Sequence, residues 1–154
     1  MKEIKPLSNW DKKFIELANL VATWSKDRST KIGAVIVDDS HRVLSVGYNG
    51  FPVGFNDNVD SRHERPQKYM YTEHGERNAI YSAARNGISL VGSTMYIPWF
   101  SCADCARAII QSGIKKIVCE QPDWKNDEKS KRWEDSQKAA LEMFIECGVE
   151  IQYY

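Results

Sequence analysis

Long apolar runs are absent from this sequence of 154 residues. No stretch approaches the ~20 apolar residues of a membrane-spanning helix, and the segment Met1–Trp10 lacks the apolar run of a signal peptide. Net charge is lacking as well, because 21 basic side chains balance 21 acidic ones. A neutral chain without a basic cluster has no field that draws it to nucleic acid or to a membrane. We therefore expect a cytoplasmic protein with neither as a partner.

Cysteine is scarce, with four residues in the chain. Without any sign of export, so few cysteines favour free thiols or metal ligands over a disulfide framework. Internal repeats, linkers and low-complexity segments are also lacking, so residues 1–154 are predicted to form a single domain with a real core.

Two short motifs contain the residue types that a catalytic zinc site needs. The first contains His74, and the second contains Cys102 and Cys105, which are separated by two residues. One imidazole and two thiolates are three protein ligands, which hold a zinc ion and leave a fourth position for water. Glu76 is not needed as a ligand and is free to move protons. The pattern therefore predicts a catalytic metal site.

Taken alone, the pair Cys102 and Cys105 also fits a redox pair or half of a structural zinc site. A structural site is normally closed by a fourth cysteine or histidine. The spare candidates, none near either motif in sequence, are His41, His63, Cys119 and Cys147. We interpret Cys119 and Cys147 as buried, unreactive thiols, because they stand at apolar positions of a predicted strand and helix. Taken together with His74 and Glu76, the cysteine pair favours the catalytic site, and these ligands predict one zinc ion per chain.

The apolar pattern predicts helices that cover a mixed sheet. An amphipathic helix with a capping box at Ser8 and Asp11 is indicated by Trp10, Phe14, Leu17, Val21 and Trp24. Two short runs, 32–37 and 43–49, are typical of a β-hairpin. A long loop over 50–71 follows, and loops of that length are usually functional. Helices and strands then alternate, with strands expected at 94–97, 116–119 and 149–153.

A histidine, a glutamate two residues on and a later C-x-x-C pair form the signature of the zinc nucleobase deaminases. The sequence resembles that superfamily and, within it, the deoxycytidylate (dCMP) deaminases. The resemblance runs from about Trp10 to Val149 and rests, besides the metal motifs, on the segments 25–37, 47–54 and 109–115. It implies a cytidine-deaminase-like three-layer α/β/α sandwich with a five-stranded mixed sheet.

The resemblance also implies an activity, the hydrolytic deamination of dCMP to dUMP and ammonia, with dUMP supplying thymidylate synthesis. A zinc-activated water would attack C4 of the base while Glu76 moves the protons. A homo-hexamer and control by dCTP and dTTP, at the loop over 50–71, are further implications. Three alternatives stay open: a deaminase of another, modified cytosine nucleotide, a deaminase of adenosine in tRNA, and a non-catalytic zinc-bearing subunit.

Substrate contacts are implied by the same resemblance. Asn49 would bind a sugar hydroxyl, although an asparagine at a strand end is commonly a turn former. The phosphate would meet one or more of Lys26, Arg28 and Lys31, which otherwise form an ordinary solvated face. Two aromatic residues are candidates for contact with the nucleotide, and each could equally belong to the core or surface: Phe100 and Trp124.

The sequence departs from the family pattern at two positions beside the metal ligands. Gly75 replaces the usual alanine between the histidine and the glutamate, and Ser101 replaces the usual proline before the first cysteine. Glycine adds backbone freedom, and proline would have fixed φ. We therefore expect both helix starts to be looser than in relatives.

Overall fold

Residues 6–154 are described by a computed structural model. The first five residues of the predicted domain, and of the segment Met1–Trp10, lie outside the described residues. The helices and strands are α1 (Asn9–Ala22), β1 (Gly33–Val37), β2 (Val43–Tyr48), α2 (Lys68–Tyr71), α3 (Gly75–Arg85), β3 (Thr94–Ile97), α4 (Ala103–Gln111), β4 (Lys116–Cys119), α5 (Glu128–Glu146) and β5 (Glu150–Tyr153). Among residues 6–154, no helix is both long and apolar enough to cross a membrane.

The strands form one mixed sheet of five strands in the order β2-β1-β3-β4-β5. Strand β1 pairs antiparallel with β2 and with β3, whereas β3, β4 and β5 run parallel. The predicted hairpin is therefore confirmed. Parallel neighbours need crossover connections, which α4 and α5 supply. The predicted loop over 50–71 contains the short helix α2 and a 3-10 turn at Asp60–His63.

Helix α1 begins where the capping-box spacing predicts. The backbone N–H of Asp11 donates to Ser8 Oγ at 3.1 Å, and the backbone N–H of Ser8 donates to Asp11 Oδ2 at 2.8 Å. These reciprocal bonds satisfy two backbone donors that the helix itself leaves unpaired. The Tyr96 hydroxyl donates to Asp11 Oδ1 at 2.8 Å, so the first turn of α1 is also tied to β3.

Two apolar cores cover the two faces of the sheet. On one face α1 packs against alternate residues of the central strands, and this core contains Phe14, Ile15, Ala18, Val21, Val35, Val37, Tyr96 and Val118. The opposite face packs against α3, α4 and α5 through Ala79, Ala83, Ala106, Ile109, Ala140 and Phe144. Residues that alternate along a strand point to opposite faces, so the buried strands feed both cores. The predicted α/β/α sandwich is confirmed.

Three apolar side chains that the periodicity predicts to face inward lie at the surface. Trp10 is 44% exposed and stacks on the His41 ring, with ring centroids 4.6 Å apart. Trp24 is 52% exposed because α1 ends at Ala22, so its position no longer follows the helical period. The prediction that Cys147 is buried is wrong, since it caps the C-terminus of α5 and is exposed. The buried position of Cys119 is confirmed.

Helix α3 lies directly on the backbone of β2 at Gly47. A Cβ atom built on Gly47 would lie 2.2 Å from the Ala79 nitrogen and 2.4 Å from the Gly75 carbonyl oxygen. Backbone atoms this close have no flexible end that could move aside, so only glycine fits. The absence of one side chain on β2 therefore sets the distance between the sheet and α3.

Gly47→Ala should lower the free energy of unfolding by at least about 1–3 kcal/mol, because overpacking forces backbone shifts. Denaturant unfolding of the purified variant measures the change. Gly50→Ala is the matched control, since a Cβ there would meet only a Tyr48 ring carbon at 4.0 Å. Equal stability of the two variants would contradict the close approach.

Candidate active site

Two helix starts face each other at the site. His74 is the residue before α3, and Cys102 is the residue before α4, both with extended backbone. Neither side chain caps its own helix, so both are available to another partner. The N-terminus of a helix carries partial positive charge, which favours thiolate over thiol. The local fold thus prepares anionic sulfur ligands.

His74, Cys102 and Cys105 converge on one point. The Nδ1 atom of His74 is 3.5 Å from each of the two sulfur atoms, and all three ligand atoms lie within 4.8 Å of one another. A tetrahedral zinc with bonds of about 2.0 Å to nitrogen and 2.3 Å to sulfur places those atoms roughly 3.5 Å apart. The cluster therefore fits zinc in both donor type and spacing. It is the one such group found in the described part of the chain.

The two cysteines differ in their affinity for a proton. The pKa of the Cys102 thiol is lowered to about 4, first by a hydrogen bond with Cys105 and then by one with His74. The pKa of Cys105 is raised, first by that same bond to Cys102 and then by burial. A thiolate, not a thiol, is the metal ligand. The contacts among the three side chains therefore favour a thiolate within the pair, which is the form that a metal ion needs.

Glu76 lies in the first turn of α3 beside the cluster and is 3% exposed. The Ser101 hydroxyl donates to its Oε1 at 3.1 Å. Burial raises the pKa of Glu76 above its usual range. A carboxyl group with a raised pKa accepts and releases a proton closer to neutral pH, which suits proton transfer.

Asn49 connects the sheet to the start of α3. The backbone N–H of Gly75 donates to Asn49 Oδ1 at 2.8 Å, and Asn49 Nδ2 donates to the Thr30 carbonyl at 3.2 Å. An amide side chain has two N–H donors and two acceptor lone pairs. One N–H donor and one acceptor lone pair of the Asn49 amide remain unused, so Asn49 can still bind a hydroxyl group of a ligand.

The predicted looseness at Gly75 is not what the structure shows. Gly75 is buried, and a Cβ there would lie 2.8 Å from the Ile32 carbonyl oxygen. Its N–H is held by Asn49. The glycine therefore permits a close contact with the sheet and does not free the helix start.

A cavity of about 220 Å³ opens onto the metal cluster. Its lining includes Asn49, His74, Glu76, Trp99, Cys102 and Trp133. The Trp133 ring stands edge-on to the His74 ring, with centroids 5.8 Å apart. Aromatic walls with a few polar groups are typical of a site for a small ligand.

Basic side chains surround the same cavity: Arg65, Lys68, Arg77, Lys129 and Arg132. Lys68 is paired with buried Asp27 at 3.0 Å, and Arg77 is paired with Glu73. Within residues 6–154 the other three form no ion pair. Lys129 lies over the Trp99 ring, 4.4 Å from its centroid. The cavity therefore has cationic groups that an anionic ligand can bind.

The basic residues suggested by the sequence lie elsewhere. Lys26 pairs with Asp57 at 2.8 Å, Arg28 pairs with Asp60 at 2.5 Å, and Lys31 is exposed. None of these three lines the cavity, whereas Asn49 does. Their contact with a phosphate stays a prediction.

The aromatic residues that line the cavity differ from those suggested by the sequence. Phe100 is 1% exposed and packs edge-on against Phe144 in the core, at 6.2 Å between centroids. The Trp124 indole N–H donates to Gln137 Oε1 at 2.8 Å, and neither residue lines the cavity. Trp99 and Trp133 do. Local sequence does not distinguish an aromatic residue of the core from one that lines a cavity.

A His-Cys-Cys zinc site beside a buried glutamate is typical of zinc-dependent hydrolytic enzymes. Residues 8–121 match the family described as the cytidine and deoxycytidylate deaminase zinc-binding region. The chain belongs to this family. Helix α5 lies beyond the matched residues.

Individual relatives agree with this family. An uncharacterized deaminase in the luxG 3' region of Aliivibrio fischeri is 42% identical over 147 residues, covering 96% of this chain and 95% of the relative. The deoxycytidylate deaminase of Enterobacteria phage T4 is 34% identical, covering 84% of this chain and 86% of the relative. The match covers only 54% to 63% of the longer deoxycytidylate deaminases from animals.

A solved structure supports the fold. The dCMP deaminase from the cyanophage S-TIM5, in complex with dCMP and dUMP, has a TM-score of 0.75 and 23% sequence identity. The likeness covers 97% of this chain and 100% of that chain. At this identity the comparison establishes the α/β sandwich, which both chains share.

Replacing Cys102 with Ala should remove zinc from the purified protein, because two ligands hold the ion far less well than three. The variant should also unfold more easily, since metal binding energy contributes to folding energy. Elemental analysis and thermal unfolding measure the two effects. Cys119→Ala is the control, a buried cysteine outside the cluster, and it should keep its zinc. Full zinc content in Cys102→Ala would refute the assignment of the cluster.

Proposed function

We propose that this protein hydrolyses dCMP to dUMP and ammonia, supplying dUMP for thymidylate synthesis. The observation that carries the proposal is the buried Glu76 beside a zinc-compatible cluster, in a cavity with unpaired cations. In this reaction water adds at C4 of cytosine, the C4–N bond breaks, and ammonia leaves. The names of the deoxycytidylate deaminase relatives support the choice of substrate.

His74, Cys102 and Cys105 would hold one zinc ion per chain. Bound zinc would supply an acidified water as the nucleophile. Glu76 takes the first proton that this water loses and gives it to N3 of the base. It then takes the remaining proton of the hydroxyl added at C4 and gives it to the departing amine, so that the C4 carbonyl forms as ammonia leaves. One carboxylate thus serves as base and then as acid, which fits its burial and raised pKa.

Asn49 and the two tryptophans would orient the nucleotide. The spare N–H and lone pair of Asn49 fit a sugar hydroxyl, which is both donor and acceptor. Trp99 and Trp133 form apolar parts of the wall of the cavity that opens onto the cluster. Such walls exclude water and favour a planar base.

The phosphate would be bound by Arg65, Lys129 and Arg132. These are the cavity cations without an ion-pair partner in the described residues, so a phosphate need not displace a carboxylate to reach them. Lys26 and Arg28 are already engaged with Asp57 and Asp60. Guanidinium groups bind phosphate in a bidentate way, which favours the two arginines as the stronger contacts.

Assembly, regulation and location are proposed from the family resemblance. They comprise a homo-hexamer, control by dCTP and dTTP through the loop over 50–71, and a cytoplasmic location. A non-catalytic role would leave the buried Glu76 carboxyl without a use. A balanced net charge disfavours tRNA as the substrate.

Glu76→Gln should keep zinc and bind dCMP while losing on the order of 10²–10⁴ in kcat, because the amide cannot carry a proton. Ammonia release and elemental analysis of the same preparation separate the two properties. Turnover near that of the unchanged protein would move the acid–base role to another group. The unchanged protein should also be assayed with cytosine nucleotides, modified or not, and with adenosine in tRNA. If it releases no ammonia from any of them, the result would support a non-catalytic subunit.

Arg132→Glu should raise KM for dCMP by about tenfold or more and leave deoxycytidine almost unaffected, since a charge-assisted contact of about 1.5–3 kcal/mol is lost. Lys26→Glu is the matched control, because it changes the net charge equally at a side chain that does not line the cavity. Steady-state kinetics with both substrates, at low and high salt, measure the difference. A larger loss in Lys26→Glu would favour the residues that the sequence suggested.

A further inference from the structure

Ser101 makes a buried contact that the proposed mechanism does not yet use. Its side chain is 0% exposed, and its Oγ lies 3.1 Å from Glu76 Oε1. The hydroxyl must be the donor when Glu76 is ionised, because a carboxylate only accepts hydrogen bonds. Proline, which the family resemblance gives for this position, has no hydroxyl and could not make the contact.

The contact joins the two halves of the site. Glu76 belongs to α3, which also carries His74 at its start, whereas Ser101 directly precedes Cys102 at the start of α4. The Glu76 side chain has three rotatable torsions and a carboxylate with two equivalent oxygens. Among the described side chains, Ser101 alone donates a hydrogen bond to this carboxylate. Ser101 therefore restrains the orientation of this carboxylate relative to the cysteine ligands.

We propose that Ser101 is a positioning residue for proton transfer. Its hydroxyl fixes Oε1 of Glu76 and leaves Oε2 as the oxygen that accepts and releases the proton. This inference rests on the proposed role of Glu76. Because proton transfer needs donor and acceptor within hydrogen-bond reach, a carboxylate held in one orientation spends more of its time ready to react.

Ser101→Ala should lower kcat for dCMP by roughly tenfold to a hundredfold with little change in KM, the usual effect of a misplaced catalytic group. Ser101→Thr, which keeps the hydroxyl, should restore most of the rate. Ser93→Ala is the matched control: Ser93 is 2% exposed, and its hydroxyl donates to the Leu90 carbonyl at 2.6 Å, away from the cluster. It should lose stability and keep kcat.

A second measurement reports on the carboxylate itself, without turnover. Glu76→Gln identifies the Glu76 carboxyl stretch in an infrared difference spectrum of the zinc-loaded protein. Ser101→Ala should shift that band, because a hydrogen bond to one oxygen makes the two C–O bonds unequal. Ser93→Ala should not shift it. Elemental analysis of each variant checks that zinc is retained.

Full kcat and an unshifted band in folded, zinc-loaded Ser101→Ala would overturn the proposal. Loss of zinc or of folding in both Ser101→Ala and Ser101→Thr would assign Ser101 a purely structural role and overturn the proposal as well. Failure of the proposed function gives a different result, since the unchanged protein would then release no ammonia from dCMP. Failure of the proposed role of Glu76 is distinguishable as well, since Glu76→Gln would then turn over normally. An inactive Glu76→Gln with a fully active Ser101→Ala refutes only the role of Ser101.

Discussion

The close approach of α3 to the sheet is the constraint on which the site depends. Gly47 and Gly75 leave room for backbone to touch backbone, and Asn49 then accepts a hydrogen bond from the Gly75 N–H. His74 and Glu76 stand on either side of Gly75 in the chain. Their positions are therefore fixed together with respect to the sheet, and α4 needs only to bring two sulfur atoms to the same point.

A second layer of polar contacts holds the segment 50–71 over the cavity. Consecutive residues of the loop before β1 alternate in direction: Lys26 and Arg28 pair with acidic residues of that segment, while Asp27 turns inward to buried Lys68. Each exposed ion pair contributes little to the free energy of unfolding. Removing one partner of the buried pair would be strongly destabilising, because the other charge would remain buried without a partner. Two of the three basic residues that the sequence suggested for phosphate, Lys26 and Arg28, thus connect this loop to the segment 50–71.

Short motifs were enough to single out the three residues that the fold brings together, His74, Cys102 and Cys105. The capping box of α1 and the hairpin were predictable because local geometry determines them. The walls of the cavity were harder to predict, since Trp99 and Trp133 come together only when α5 packs beside the cysteine helix. Phe100 was the natural choice next to Cys102, but the chain turns so that Trp99 faces the cavity and Phe100 the core. Which face a residue takes there is decided by tertiary packing, which periodicity does not encode.

Helix α5 contributes a part of the cavity wall that is separate in the sequence from the metal ligands and Glu76. The metal ligands, Glu76 and Asn49 all lie within the residues that match the family, 8–121, whereas Lys129, Arg132 and Trp133 belong to a helix beyond them. Substitutions in the first two turns of α5 can change the shape and charge of the cavity mouth while the groups that break the C–N bond stay in place. Changes confined to this helix could therefore alter which ligand the cavity accepts, while the residues of the reaction centre stay the same.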